Sequence, residues 1–381
     1  MQTYEYLRPF ARSPEDHARL DCLLHNDTMG QAQLAYGKDA RSFTRRIKAL
    51  KAIANDAAID EASIKRISTL KDYRETPTGE TMLEWQIRDK SMVARIASAR
   101  AAIDSMKDEI KPVKLVKPPK SACENLLNLY VVTDYHIGML AWGEECGEDW
   151  DVAIAEDLLV KWFEYTIARS PDAEHAVFAQ LGDFLHFDGL DSITPTSGHL
   201  LDSDTRFQRV VRIAIRVLRR VISMLLQKHK TVHVIMAEGN HDLASSAWLR
   251  EMFSVLYENE PRITVDDSPD PYYCVEWGKT SLFFHHGHKK KMAASDSVFA
   301  AKFREVWGRT KYSYAHFGHL HHVEMKETNL MVIEQHRTLA AKDAYASRGG
   351  WMSGRESSVI TYHKDYGYSG RIVATPEMVQ Q

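Results

Sequence analysis

The 381-residue chain lacks any hydrophobic run long enough to span a membrane. Its most apolar helical stretch, residues 210–226, is interrupted by Arg212, Arg216, Arg219 and Arg220. No apolar signal core opens the sequence, so a reducing cytoplasm is the expected compartment. Cysteine is scarce. Cys22, Cys123, Cys146 and Cys274 are scattered without a paired spacing, which points to free thiols rather than a disulfide framework or a zinc knuckle. Internal repeats and low-complexity tracts are absent, and no signature fixes a homo-oligomeric state. Strong net charge is missing too, at −3 overall. That small total hides a division. Residues 1–120 hold 22 Lys+Arg against 17 Asp+Glu, and the remainder is acidic. A basic front suits a polyanion partner, and an acidic remainder suits bound cations.

The length allows two or three domains. Residues 14–26 predict a first helix, with Ser13 as N-cap, Pro14 at the first helical position and Leu20, Leu23 and Leu24 as its apolar stripe. Residues 29–51 predict a short helix, a turn at Gly37 and a second helix from about Asp39. Phe43, Ile47 and Leu50 share one face of the latter, and Arg41, Arg45 and Lys48 share another. The pattern resembles a helix-turn-helix whose basic helix enters the major groove, with Arg41, Arg45, Arg46 and Lys48 as the expected DNA contacts. An ordinary helical hairpin with a solvated basic face is the plainer reading. After it, Pro77-Thr78-Gly79 reads as a turn and Leu83, Trp85 and Ile87 alternate as in a strand, where the wing of a winged helix would sit. Residues 90–110 read as a connecting helix. Residues 111–120 hold three prolines and a lysine at every third position, an extended tether. The expected organisation is a winged helix-turn-helix-like domain over 1–88, a connector and Lys/Pro linker over 89–121, and a larger α/β domain over 122–381.

From Glu124 onward, apolar runs end in charged turns and alternate with helical stretches. Residues 126–132 lead to Asp134-Tyr135-His136, and residues 176–181 to Gly182-Asp183-Phe184-Leu185-His186. Residues 232–237 lead to Glu238-Gly239-Asn240-His241-Asp242, and residues 281–284 to His285-His286-Gly287-His288. Residues 312–317 lead to Gly318-His319-Leu320-His321-His322. One histidine after a strand is usually a hydrogen-bonded structural residue. Five such turns in one chain suit a site for two borderline divalent cations held by oxygen and imidazole.

The order Asp-x-His, Gly-Asp, Gly-Asn-His-Asp, His-Gly-His, Gly-His-x-His resembles the calcineurin-like metallophosphoesterase superfamily over about residues 124–325. Gly182-Asp183-Phe184-Leu185-His186 looks like the corresponding turn of the SbcD-type DNA-repair nucleases. The resemblance implies a calcineurin-like αββα sandwich. It places the first metal on Asp134, His136, Asp183 and His321, and the second on Asp183, Asn240, His286 and His319, with Asp183 bridging. His241 then matches the histidine that protonates the leaving oxygen, Asp242 would orient it, and His186 would act as an acid or substrate positioner. Two divalent ions are implied, Mn²⁺ foremost, with Fe, Zn or Ni as others such sites take. The expected activity is phosphodiester hydrolysis by a hydroxide activated between two metals, on DNA. A nucleotide or phosphoprotein phosphatase tethered to DNA, and a DNA-binding regulator with a vestigial metal site, are the alternatives. The pairing of modules also looks like a phage or prophage product.

Overall fold

The computed structural model describes residues 11, 13–25, 29–36, 43, 45–47, 50, 68–75, 81–87, 117–120, 122–195 and 197–380. The chain divides into two compact units, Met1–Ala97 and Ser98–Gln381.

In the first unit, helix Pro14–Leu24 starts at Ser13, whose side chain accepts the Asp16 amide at 3.1 Å. Helix Met29–Tyr36 follows. Leu20, Leu23, Ala32, Phe43, Ile47 and Leu50 close a small core, so the apolar face expected for the second basic helix is packed. Strands β1 (Ser68–Glu75) and β2 (Thr81–Ile87) pair antiparallel, with a register shift between Leu70 and Asp72. The expected turn at 77–79, the connecting helix at 90–110 and linker residues 111–116 lie outside the described residues.

The second unit is a two-sheet sandwich flanked by helices. Its first sheet runs β13-β12-β3-β4-β5-β6, built from β3 (Cys123–Val132), β4 (Ala173–Gln180), β5 (Thr231–Met236), β6 (Ile263–Val265), β12 (Ser357–His363) and β13 (Gly367–Ala374). The second runs β10-β11-β9-β8-β7, built from β7 (Tyr273–Trp277), β8 (Thr280–His285), β9 (Tyr312–Phe317), β10 (Glu324–Glu327) and β11 (Val332–Gln335). Strands β3 to β6 are parallel, as are β8, β9 and β11.

Side chains alternate across a strand, and both faces of the first sheet are covered, so its central strands read as continuous apolar runs. Leu127, Leu129 and Val131 point to the second sheet, where they meet Leu282 and Phe284. Tyr130 and Val132 point to the helices Val152–Arg169 and Phe207–Lys228. The long helix buries Val210, Val217, Leu218, Val221 and Leu225 and presents its arginines outward. Arg216 and Arg220 hold Glu156 and Glu164 of the neighbouring helix. Phe283, Ala315, Phe317 and Ile333 form the outer face of the second sheet, under Met292 and Phe299. The architecture is an αββα sandwich. The long helix begins at Phe207, and the Asp204 carboxylate shortly before it accepts the Val152 amide at 3.1 Å.

Candidate metal centre

The five predicted turns follow the C-terminal ends of β3, β4, β5, β8 and β9, so one edge of the sandwich gathers all of them. Two turns zip together through the backbone. The amides of Asp134, His136 and Ile137 donate to the carbonyls of Gly182, Asp183 and Phe184 at 3.0, 3.0 and 2.8 Å. Among the described residues, the non-glycine residues with left-handed φ are Asp134 (52°), His136 (49°), Asp183 (52°), His319 (76°) and His321 (54°). Every one is a predicted metal ligand. This conformation costs a non-glycine residue about 1–2 kcal/mol. Such strain persists where a site demands a side-chain direction that relaxed backbone does not supply.

Three of the donors are held by one atom and present another. Asp134 Oδ2 accepts the Thr133 hydroxyl at 2.5 Å and the His319 amide at 2.8 Å, leaving Oδ1 to face His321 Nε2 at 3.1 Å. Asp183 Oδ1 accepts the His241 amide at 2.8 Å, leaving Oδ2 3.2 Å from His286 Nε2. His286 Nδ1 donates to the Leu181 carbonyl at 2.7 Å, which turns Nε2 inward, 3.2 Å from Asn240 Oδ1. Fixing the far nitrogen of an imidazole in this way is how metal-ligating histidines are oriented. Two glycines make room. A Cβ on Gly182 would lie 2.6 Å from His286 Nδ1, and one on Gly239 would overlap the Asp183 carboxylate.

Three overlapping groups of donor atoms result, each with members within 4.8 Å of one another: Asp134, His136 and His321; Asp134, Asp183, His286 and His319; and His136, His186 and His241. Ligands of one ion at bonds of about 2.0–2.2 Å have this spread. The electrostatics ask for positive charge. Burial raises the carboxyls of Asp134 and Asp183, but imidazole neighbours, His321 and His286 for the first and His286 and His241 for the second, outweigh it and hold both below the usual range. Burial lowers His286, yet the two carboxylates carry it up to about 9. Among the described residues the ion-pair partners of Asp134 and Asp183 are histidines alone. Two divalent cations fit this donor set.

The third turn is braced by Asp242. Its Oδ1 accepts the amides of Gly239 (3.0 Å) and Asp183 (3.2 Å), and its Oδ2 those of Phe184 (2.7 Å) and Leu185 (3.1 Å). Burial and the charges of Asp183 and Asp188 push its pKa up, while these amides pull it down. An Asp preceding a helix usually caps it. Here helix Leu243–Leu256 is capped by Asp188 instead, which accepts the Ala244 and Ser245 amides at 2.6 and 2.7 Å. The His241 ring bonds through Nδ1 to the His186 carbonyl at 2.8 Å and lies 4.8 Å from the His136 ring, centre to centre. His186 is buried, with Nδ1 3.3 Å from His136 Nδ1, and burial, then His241, lowers it to about 3.

Of the paired histidines, His286 faces the carboxylates, whereas His285 stacks on Tyr272 at 4.4 Å and accepts the Gly287 amide. His322 is exposed. One cluster escaped sequence reading because its members lie within or just after strands β9 and β11 and outside the turn motifs: His316, Glu334 and His336. It forms a chain of polar contacts. Arg371 pairs with Glu334, His336 Nδ1 faces Glu334 at 3.6 Å, His336 Nε2 meets His316 Nδ1 at 2.9 Å, and His316 Nε2 meets the Tyr362 hydroxyl at 3.0 Å. One neutral tautomer of each ring satisfies every contact.

In the first unit, Arg45 is exposed and Arg46 makes a two-pronged bond to Asp16 at 2.8 and 2.7 Å. Arg41 and Lys48 lie outside the described residues.

No protein-family model matches the chain, and no curated protein matches it. Among solved structures, it is similar to a predicted phosphoesterase from Streptococcus pneumoniae, at 10% identity over 66% of this chain and 100% of that one, with TM-score 0.30. An archaeal phosphodiesterase shares 12% identity over 65% and 99%, with TM-score 0.33. A dimetal phosphatase from Danio rerio shares 9% over 65% and 98%, with TM-score 0.35. At these identities and TM-scores the fold and the site rest on their own geometry. The fold is the αββα sandwich expected from the sequence, with the five turns gathered at one edge.

Proposed function

We propose that this protein is a divalent-metal-dependent phosphodiesterase whose substrate is DNA. The observation that carries the chemistry is the convergence of Asp134, His136, Asp183, His286, His319 and His321 into overlapping groups of donor atoms, with Asn240 Oδ1 3.2 Å from His286 Nε2. When bound, a pair of divalent cations supplies charge neutralisation at the phosphoryl oxygens and acidifies water. The protein does the rest. The strained turns hold the donors in place, so little reorganisation is needed during reaction. His241, with Nδ1 committed to a carbonyl, offers Nε2 to the leaving oxygen, and a histidine serves as acid near neutral pH. His186 positions that ring through its carbonyl.

The basic front part supports DNA as the substrate. Its helices close their own core, and a strand pair follows where a wing would stand. Mn²⁺ suits the mixed N/O donor set. The test is cleavage of labelled single-stranded, linear duplex and circular DNA by the full chain with Mn²⁺, beside Asp183→Asn and His241→Ala. Metal-dependent cleavage lost in both variants is expected. Turnover of a simple phosphodiester with no cleavage of any DNA would overturn the substrate and keep the chemistry.

A further inference from the structure

Exposed apolar side chains are unevenly placed in the second unit. Among the described residues, more than half of the large ones lie on the loops that follow the ligand turns or on the segment beside them. Trp142 is 60% exposed, Leu200 90%, Tyr345 64% and Trp351 54%. Single exposed apolar residues need no explanation, but a contiguous set marks a binding surface. This set is contiguous because its loops are tied together. The Leu140 amide donates to the Asp202 carbonyl at 3.0 Å. Ser347 Oγ donates to the Glu145 carbonyl at 2.8 Å, and Arg348 Nε to the Glu145 carboxylate at 2.9 Å. The rings of His199 and Tyr345 lie 6.2 Å apart, and those of Tyr345 and Trp351 5.1 Å apart.

The same layer adjoins the metal centre. Trp142 lies on the loop that leaves ligand His136, and Thr338, which leads into the Tyr345 segment, donates to the Asp134 carbonyl at 2.7 Å. On the other sheet, the turn of ligand His286 runs directly into Lys289-Lys290-Lys291. The first of these is three residues from His286, about 10 Å of extended chain, the reach of a neighbouring phosphate. The arginines of the aromatic loop are engaged locally, Arg355 partly buried and Arg348 at the surface. Arg355 bonds the Leu339 carbonyl and lies over Trp150, and Arg348 holds Glu145. The rim therefore offers ring faces on one side and lysines on the other.

We propose that the centre acts on unpaired strands, with bases stacking on Trp142, Tyr345 and Trp351 and backbone phosphates held by Lys289, Lys290 and Lys291. This rests on the nuclease reading and names its substrate. Ring faces stack on bases only where pairing does not hide them, and such stacking is indifferent to sequence.

Competition reads the metal centre alone, whatever else the first unit binds. Hydrolysis of bis(p-nitrophenyl) phosphate by the full chain with Mn²⁺ is inhibited by a short oligothymidine and, separately, by a short duplex. The single strand inhibits at lower concentration. Trp142→Ala, Tyr345→Ala and Trp351→Ala each raise its inhibition constant on the order of tenfold. Replacing the three lysines by glutamine raises it and reduces its salt dependence by a slope of about 2. Tyr366→Ala, 72% exposed in the turn joining β12 and β13 at the opposite edge, leaves it unchanged. Equal inhibition by duplex and single strand, or aromatic variants that behave as the parent, would overturn the rim. DNA that inhibits without being cut overturns the nuclease reading while the inhibition constants still decide the rim. No turnover of the small diester removes both.

Discussion

Asp242 separates two roles that one carboxylate could play, and Asp242→Asn tells them apart. The substitution keeps shape and turns one acceptor oxygen into a donor. Two of the four backbone amides that bond Asp242 then face an N–H₂ group. Burial raises the Asp242 pKa to about 8, and above that pH, where it is ionised, bonds to a charged acceptor contribute about 1.5–3 kcal/mol each, so two amount to about 3–6 kcal/mol. Loss of a buried negative charge beside Asp183 and Asp188 returns part of that. A net loss of about 3 kcal/mol lowers Tm by about 6–12 °C in a unit of this size. The second consequence is local. The bonded amides belong to Asp183, Phe184, Leu185 and Gly239, so the turn carrying the central ligand loosens and bound metal falls. Thermal unfolding followed by circular dichroism, with elemental analysis of dialysed protein, measures both. His241→Ala is the contrast, with metal and Tm kept and turnover lost. Asp242→Asn with full metal and parental Tm but no turnover would refute the reasoning, and would make the carboxylate a partner of His241 instead.

Gly239→Ala places a methyl group on the Asp183 carboxylate, so the purified variant is expected to hold less than half the parental metal by elemental analysis. Leu218→Ala, in the long helix and fully buried, is expected to cost about 2–5 kcal/mol in urea unfolding while activity per folded molecule is kept. Stability should fall in acid. Buried His229, bonded to Tyr130 and to the Ala173 carbonyl, has a folded pKa lowered to about 4, below its unfolded value of about 6.5. The unfolded chain therefore takes up the proton first. Its contribution is intact above pH ~6.5 and is lost as pH falls toward ~4, by about 3 kcal/mol. Buried His316 and His336, at about 3 each, act in the same direction. Urea midpoints at pH 7.5, 5.5 and 4.5 check this, and a flat profile would contradict it.

The strands that bear ligands were legible because each is buried on both faces and ends abruptly in Gly, Asp, Asn or His. β9 was readable to the residue. Edge strands were not. β10 is Glu-Met-Lys-Glu, exposed throughout, and exists only by pairing with β11. β6 has three residues and β13 carries two glycines, so neither shows a strand period. The ligand types were readable from chemistry, but the strain that aims them was not, since left-handed φ at Asp134 or His321 has no signature in residue identity. Asp242 looked like a partner for the adjacent histidine. Its actual bonds depend on a turn more than fifty residues away. In the 345–355 loop, local carboxylates and carbonyls engage Arg348 and Arg355, leaving Tyr345 and Trp351 exposed.

Anomalous scattering from crystals grown with Mn²⁺ tests the metal centre most directly. Two peaks about 3.5–4 Å apart are expected, one against Asp134, His136 and His321, the other against Asn240, His286 and His319, with Asp183 between them. A single peak, no peak, or manganese at His316, Glu334 and His336 instead would contradict the account.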